Sequence, residues 1–346
     1  MKLGLMIGYS GAEYRMQMDL ILKAEELGFD SVWTAEAWGS DAITPVAWIL
    51  AQTTKLKAGT AICQVPARTP AMMAMTAMTL DHLSGGRFLL GVGASGPQVV
   101  EGWHGNAYGK PITRVKEYIS IIRQVLKREG PLTHEGPHYQ IPFMGEGSTG
   151  LGKPLKSILH GNPNIPIYAA SITPAGVKAA GETADGFFPV WMNPNRFDLF
   201  EDSLNAGFAA AGGGKSIDDF DIAPFVRVCM GDDIDECRML IKNHLALYIG
   251  GMGARDKNFY NDYTKRLGFE EAAEKVQDLY LSGKKAEAAN EIPDELVDQC
   301  SLVGPAGHIK EQLSEWKAAN KRGHVGTMIV TLSKPEEGLL LAKELL

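Results

Sequence analysis

A chain of 346 residues with 45% apolar and 22% charged side chains can bury a sizeable core, and its composition excludes a disordered or collagen-like polymer. A formal net charge of −7 with no run of Lys or Arg excludes the basic face of a nucleic-acid binder. The cysteines Cys63, Cys229, Cys237 and Cys300 are widely scattered without a C-x-x-C, so reduced thiols are expected rather than a disulfide framework or a metal site.

In chain order, the start "MKLGLMIGYSG" is glycine-punctuated and lacks a basic leader, so it reads as a strand rather than a signal peptide. No stretch approaches a membrane span, and we expect no membrane partner and a cytoplasmic location. Apolar runs bounded by turn residues predict strands near 2–8, 30–35, 56–65, 87–93, 165–170, 186–190, 220–229 and 325–331. Helical spacing between them predicts helices over 13–27, 42–54, 70–84, 111–129, 174–184 and 194–211, a long helical region over 233–320, and a closing helix after Pro335. The helix at 111–129 carries Val115, Tyr118, Ile119, Ile122, Val125 and Leu126 on one stripe and charges opposite, as an outer helix of a barrel requires. Eight alternating units predict a (β/α)8 TIM barrel formed as a single domain over 1–346. A Gly/Pro-rich loop insertion occupies about 130–163, and a helical insertion about 232–320.

Three stretches carry chemistry. In "FLLGVGASGP", Gly91, Gly93 and Gly96 have the G-x-G-x-x-G spacing of a dinucleotide loop, but they end the fourth strand rather than the first. Pro97 and "EGWHGNAYGKP" interrupt any immediate helix, and the acidic residue about 20 positions on, Glu117, falls inside the helical stripe. The glycines are therefore expected to let a flat ligand approach the backbone at the C-terminal mouth of the barrel. In "IPIYAASITPAG", Ser171, Thr173 and Pro174 mark a capped helix start, whose free amides and dipole suit a phosphate. In "KAGTAICQVPARTP", Arg68 stands at a strand-to-helix turn facing the mouth, ahead of a core-filling stripe of Met72, Met73, Met75 and Met78.

Together with "TAEAWGSDAITP", "TLDHLSGGRFLLGVG", "GETADGF" and "SLVGPAGHIKEQL", these stretches resemble, in order along the whole chain, the luciferase-like monooxygenase superfamily. The likeness is to the branch that uses the deazaflavin coenzyme F420, with a layout similar to the methylenetetrahydromethanopterin reductases. The resemblance implies a cofactor at the barrel mouth; the expected partners are a small-molecule substrate and a second copy of the chain in a homo-oligomer, a dimer. The resemblance also implies a non-proline cis peptide behind the cofactor ring, matching Ala61 to Ile62 with Cys63 next. By the same likeness Ala94, Ser95 and Gly96 contact the ring, Ala170, Ser171 and Ile172 the phosphate, and Arg68 a basic position near the cofactor.

The chain departs from the pattern where several relatives carry Asp-His at the end of strand two; here stand Ala35 and Glu36. An acidic residue after strand four is replaced by Gly96 and Pro97, so the substrates of those relatives do not transfer. Glu36, desolvated at the mouth, is the expected proton donor beside a hydride-carrying deazaflavin. Tyr9, Trp38, Trp103, His104 and Trp191 lie at or just beyond strand ends and are expected to line a hydrophobic substrate pocket. His134 and His138 are separated by Gly136-Pro137 and do not form a helical metal pair. The resulting expectation is an F420-dependent oxidoreductase; the alternatives are an FMN-dependent monooxygenase of the same family and a non-catalytic flavin- or deazaflavin-binding protein.

Overall fold

A computed structural model of the chain describes residues 1–255 and 257–346. Several of its helices begin at proline, which fits a first helical turn because the N–H that proline lacks would have no intrahelical partner there. Pro70, Pro111, Pro174 and Pro335 all open helices in this way. The helix Pro70–Ser84 is also capped at both ends: Thr69 accepts from the Met72 amide at 3.2 Å, and Gly85 closes it in the left-handed conformation at φ 67°.

The main sheet contains β1 (Lys2–Gly8), β2 (Ser31–Thr34), β3 (Lys57–Thr60), β4 (Phe88–Gly93), β5 (Ile167–Ala170), β6 (Gly186–Phe188), β7 (Asp221–Ile222 continued by Phe225–Met230) and β8 (Thr327–Thr331). Each pairs in parallel with its successor, and β8 returns to β1 through Lys2↔Thr327 to Leu5↔Val330. The two parts of β7 complete the ring. The first pairs with β6, Phe225 bridges Val190 just beyond β6, and the second pairs with β8. The eight strands therefore curl into a barrel, as the alternation predicts.

The barrel is filled. Trp33, Leu89, Tyr168, Phe188, Ala223 and Ile329 meet on its axis, with Trp33 packed edge-on against both Tyr168 and Phe188 at 5.2 Å between ring centroids. Burial of such side chains contributes about 1.5–3 kcal/mol each. Met6, Ile62, Ala170 and Phe225 lie over this plug and are partly buried, so they floor the mouth. Near the other end, Asp221 accepts from the hydroxyls of Tyr168 (2.9 Å) and Thr327 (2.7 Å).

Four local expectations need correction. A six-residue helix, Pro97–Gly102, does follow Gly96 directly, because Pro97 suits its first turn. The 220–229 strand is interrupted at Ala223-Pro224, where proline removes a ladder donor. The 233–320 region is not wholly helical: Ser301–Gly304 is a strand pairing in parallel with Arg227–Met230. The methionine stripe is split, since Met73 and Met78 are fully buried whereas Met72 and Met75 are over half exposed. The 130–163 segment holds one short hairpin, His134–Glu135 with Gln140–Ile141. There Glu117 is buried and accepts from the backbone amides of His138 and Tyr139, both at 3.2 Å.

Candidate active site at the barrel mouth

The end of β3 sets the geometry. After Thr60 the Ala61–Ile62 peptide is cis, and Cys63–Gln64 then pairs with β4 at Val92 and Gly93. The Thr60 hydroxyl donates to the Gly91 carbonyl at 2.8 Å and accepts from the Gly91 amide at 3.0 Å, pinning the two strands. A Cβ on Gly91 would stand 1.9 Å from the Thr60 carbonyl oxygen and 2.7 Å from the Phe188 ring, and one on Gly93 would meet Ile62 Cδ1 at 2.8 Å. Gly91 therefore makes room for the protein's own third strand and not for a ligand, which corrects the sequence expectation at that position; Gly93 makes room for the Ile62 side chain, and Gly96 meets only Gln98 Oε1, at 3.1 Å.

Ile62, Ala94, Ser95 and Gly96 remain partly accessible on the rim, whereas Ala61 and Cys63 are buried. Burial pushes the Cys63 thiol far above its ordinary value, with the nearby Glu36 carboxylate adding to the effect. Ser95 takes a left-handed φ of 63° and accepts from Gln64 Nε2 at 3.2 Å. Gln64 Oε1 in turn lies 2.7 Å from His104 Nε2. Because the Gln64 oxygen can only accept, His104 carries its proton on Nε2 in this arrangement, and the chain His104–Gln64–Ser95 leaves the serine hydroxyl free to donate.

Glu36 and Arg68 meet. Their side chains are 6% and 21% exposed, and Arg68 Nη1 donates to both Glu36 oxygens at 2.7 and 2.9 Å. The same carboxylate accepts from the Gln64 amide at 2.7 Å and the Ala42 amide at 3.1 Å, so it ties the ends of strands two and three together. For Arg68, the cost of burial is outweighed by Glu36, which raises its pKa.

At the end of β5, Ala170, Ser171 and Ile172 lead into the helix Pro174–Thr183, partly accessible throughout. Thr173 is the N-cap, accepting from the Gly176 amide at 3.2 Å. Ser171 packs so closely on Gly176 that a Cβ there would lie 1.8 Å from the serine oxygen. Arg266, from the insertion, donates to the Ile172 carbonyl and adds a positive charge beside this helix N-terminus.

The opposite wall is aromatic and comes largely from the insertion. The helix Ile234–Ala246 runs into a π-helical turn, Leu247–Gly251, and Phe259–Arg266 follows. Tyr248 and Tyr260 from these elements enclose Trp191, with centroids at 5.9 and 5.4 Å, and His244 lies 4.7 Å from Tyr248. Burial pushes the His244 imidazole down to about 3, with Arg227 adding to the effect. Tyr9, 48% exposed, faces this group from the end of β1. Of the five expected pocket residues, Tyr9 and Trp191 are brought together and His104 joins the Gln64 chain. Trp38 and Trp103 are 55% and 63% exposed and join neither.

Sequence reading missed Gln64, Arg227, His244, Tyr248, Tyr260 and Arg266. One signal was available: in "APFVRVCM" Arg227 is a lone charge within an apolar strand. A cleft of about 670 Å³ at the opposite end of the barrel, lined by Lys2, Asp30 and Lys57 among others, contains none of the candidate site residues.

Comparison with known proteins agrees with this architecture. The chain is 47% identical over 339 residues to Rv3520c of Mycobacterium tuberculosis, provisionally named a coenzyme F420-dependent oxidoreductase, covering 97% of this chain and 96% of the relative. It is 27% identical over 330 residues to the 5,10-methylenetetrahydromethanopterin reductase of Archaeoglobus fulgidus, covering 93% and 92%. The structure of the coenzyme F420-dependent tetrahydromethanopterin reductase from Methanopyrus kandleri superposes with a TM-score of 0.76 at 22% identity, covering 99% of this chain and 97% of that one. The profile of the luciferase-like monooxygenase family matches residues 1–321, and the chain belongs to that family.

Proposed function

We propose that this protein is a coenzyme F420-dependent oxidoreductase transferring a hydride between the deazaflavin and a small organic substrate. The observation that carries this reading is the 47% identity to Rv3520c across nearly the whole of both chains. The mouth fits such a cofactor. Ile62 and Ala170 offer an apolar shelf above the filled barrel, and the capped helix at Thr173 with Arg266 offers amides and a cation for a phosphate.

When bound, the deazaflavin supplies the hydride-carrying carbon. The chain's own residues orient and shield it. Glu36 holds Arg68 and the Gln64 amide, and so keeps the rim beside Ser95 in one geometry; its role is then one of positioning, with Ser95 or His104 closer to a proton-donating task. Trp191, Tyr248 and Tyr260 exclude water from the substrate side.

We read the chain as one domain, placed in the cytoplasm, in which all four cysteines are free and buried. No helix among the described residues is long and apolar enough to cross a membrane. A homodimer is supported by exposed Phe143, Met144, Leu151, Leu155 and Ile158 on the loop insertion, and light scattering on the purified protein tests it.

Titration with F420 and with FMN, each followed by quenching of its own fluorescence, tests the cofactor assignment. Saturable binding of F420 is expected. Binding of FMN alone would overturn the reading, and F420 binding without oxidation of the reduced coenzyme by any acceptor would leave a carrier protein instead.

A further inference from the structure

Arg227 lies in the second part of β7, two residues beyond Phe225, whose ring stacks on Phe188 inside the barrel at 5.3 Å. Successive side chains of a strand alternate, so Arg227 shares the inward face with Phe225 and stands nearer the mouth. The titratable groups that face it are Tyr248 from the π-helical turn, Tyr9 from the end of β1 and His244 from the helix Ile234–Ala246. None of these is a carboxylate.

Each of the other eleven arginines donates to an acceptor: a carboxylate for Arg15, Arg68, Arg123, Arg196, Arg238 and Arg255, and at least one backbone carbonyl for Arg87, Arg114, Arg128, Arg266 and Arg322. Among the described residues Arg227 has no such acceptor, although it is largely buried and the chain carries seven net negative charges. A desolvated guanidinium without a counter-ion is unfavourable, and burial accordingly lowers its pKa. Such a group is kept where a ligand completes it, because five fixed N–H donors match an oxyanion in two-pronged fashion.

We propose that Arg227 recognises an oxyanion group on the substrate, so that the enzyme acts on molecules joining a carboxylate or phosphate to an aromatic or apolar body. The body would lie against Tyr9, Trp191, Tyr248 and Tyr260. This assigns a substrate class to the active site proposed above and rests on that reading for its catalytic meaning, but the anion site itself does not depend on which coenzyme binds.

Calorimetric titration of the full chain with benzoate, phenyl phosphate and benzamide tests it. At least one of the two anions should bind the wild type about tenfold or more tighter than the neutral amide, as expected for a charge-assisted pair. Whichever anion binds tighter identifies the oxyanion. Arg227→Met should reduce both anions to the level of benzamide, and Arg227→Lys should restore part of the difference. The Met variant should also unfold at the same or a higher temperature than the wild type, which a structural arginine would not do.

Equal binding of benzamide and both anions, or unchanged anion binding by Arg227→Met, would overturn the proposal. If the anions are distinguished but F420 fails to bind the wild type, the coenzyme reading falls and the anion site stands.

Discussion

The replacement Gly91→Ala separates two explanations of the glycine-rich turn. The added methyl would stand 1.9 Å from the Thr60 carbonyl oxygen, 3.0 Å from its carbon and 2.7 Å from the Phe188 ring. An ordinary contact needs about 3.4 Å or more, so β3 and β4 must part by over an ångström. Neither side can yield cheaply, because Thr60 Oγ1 bonds both the amide and the carbonyl of Gly91. Overpacking of this kind costs about 1–3 kcal/mol, and loosening two buried hydrogen bonds adds about 1–3 kcal/mol. A total of roughly 4 kcal/mol, spread over about 2.1 cal/mol/K per residue in a chain of 346 residues, lowers the thermal midpoint by about 5 °C. Scanning calorimetry reads that shift, and a coenzyme titration on the same sample reads the site. A midpoint within 1 °C of the wild type with coenzyme binding abolished would refute the packing argument and return Gly91 to the ligand.

Further outcomes follow from the same geometry. Glu36→Gln turns an amide donor toward donors that now point at a carboxylate and leaves Arg68 short of its counter-ion, so stability should fall by roughly 2–4 kcal/mol together with turnover; lost turnover at an unchanged melting temperature would make Glu36 the proton donor instead. His244 is held neutral in the fold down to about 3 while an unfolded histidine protonates near its ordinary value of about 6.5. The unfolded state therefore binds more protons between these values, and stability present above about pH 6.5 is lost as pH falls toward 3. The melting temperature of the wild type should drop more between pH 7 and 5 than that of His244→Gln, and parallel curves would contradict this. Burial pushes the thiols of Cys229 and Cys300 up to about 12, and Cys63 and Cys237 are equally enclosed. A chromogenic disulfide reagent should label no cysteine in the native protein and all four after denaturation; one fast-reacting thiol in the folded state would disprove it.

What could be read from the sequence was local. The helix beginning at Pro70 and ending at Ser84 was placed to the residue, because a hydroxyl cap, a first-turn proline and a terminal glycine act through neighbouring backbone atoms. The strand-and-helix alternation likewise foretold a barrel, since parallel strands require crossovers. Local signals failed where they competed. The proline that suggested a break at position 97 instead opens a helix, and a strand at 301–304 was hidden among helical neighbours because its stability comes from pairing with Arg227–Met230.

The site was legible in position and not in role. The helix start after strand five marked Ser171, and the family resemblance marked Glu36, Ile62 and Ser95, as rim residues, but only the folded chain brings Arg68 onto Glu36, His104 onto Gln64, and the insertion's Tyr248 beside Tyr9. These partners are separated by tens to hundreds of residues, and nothing in periodicity encodes which of them meet. Sequence by itself determined the alternating elements and their caps, because backbone hydrogen bonding and amphipathic spacing are settled within a few residues. Tertiary structure alone decided that Gly91 serves the barrel wall and that Arg227 faces the mouth with no counter-ion among the described residues, because close contact and desolvation exist only once distant strands are packed together.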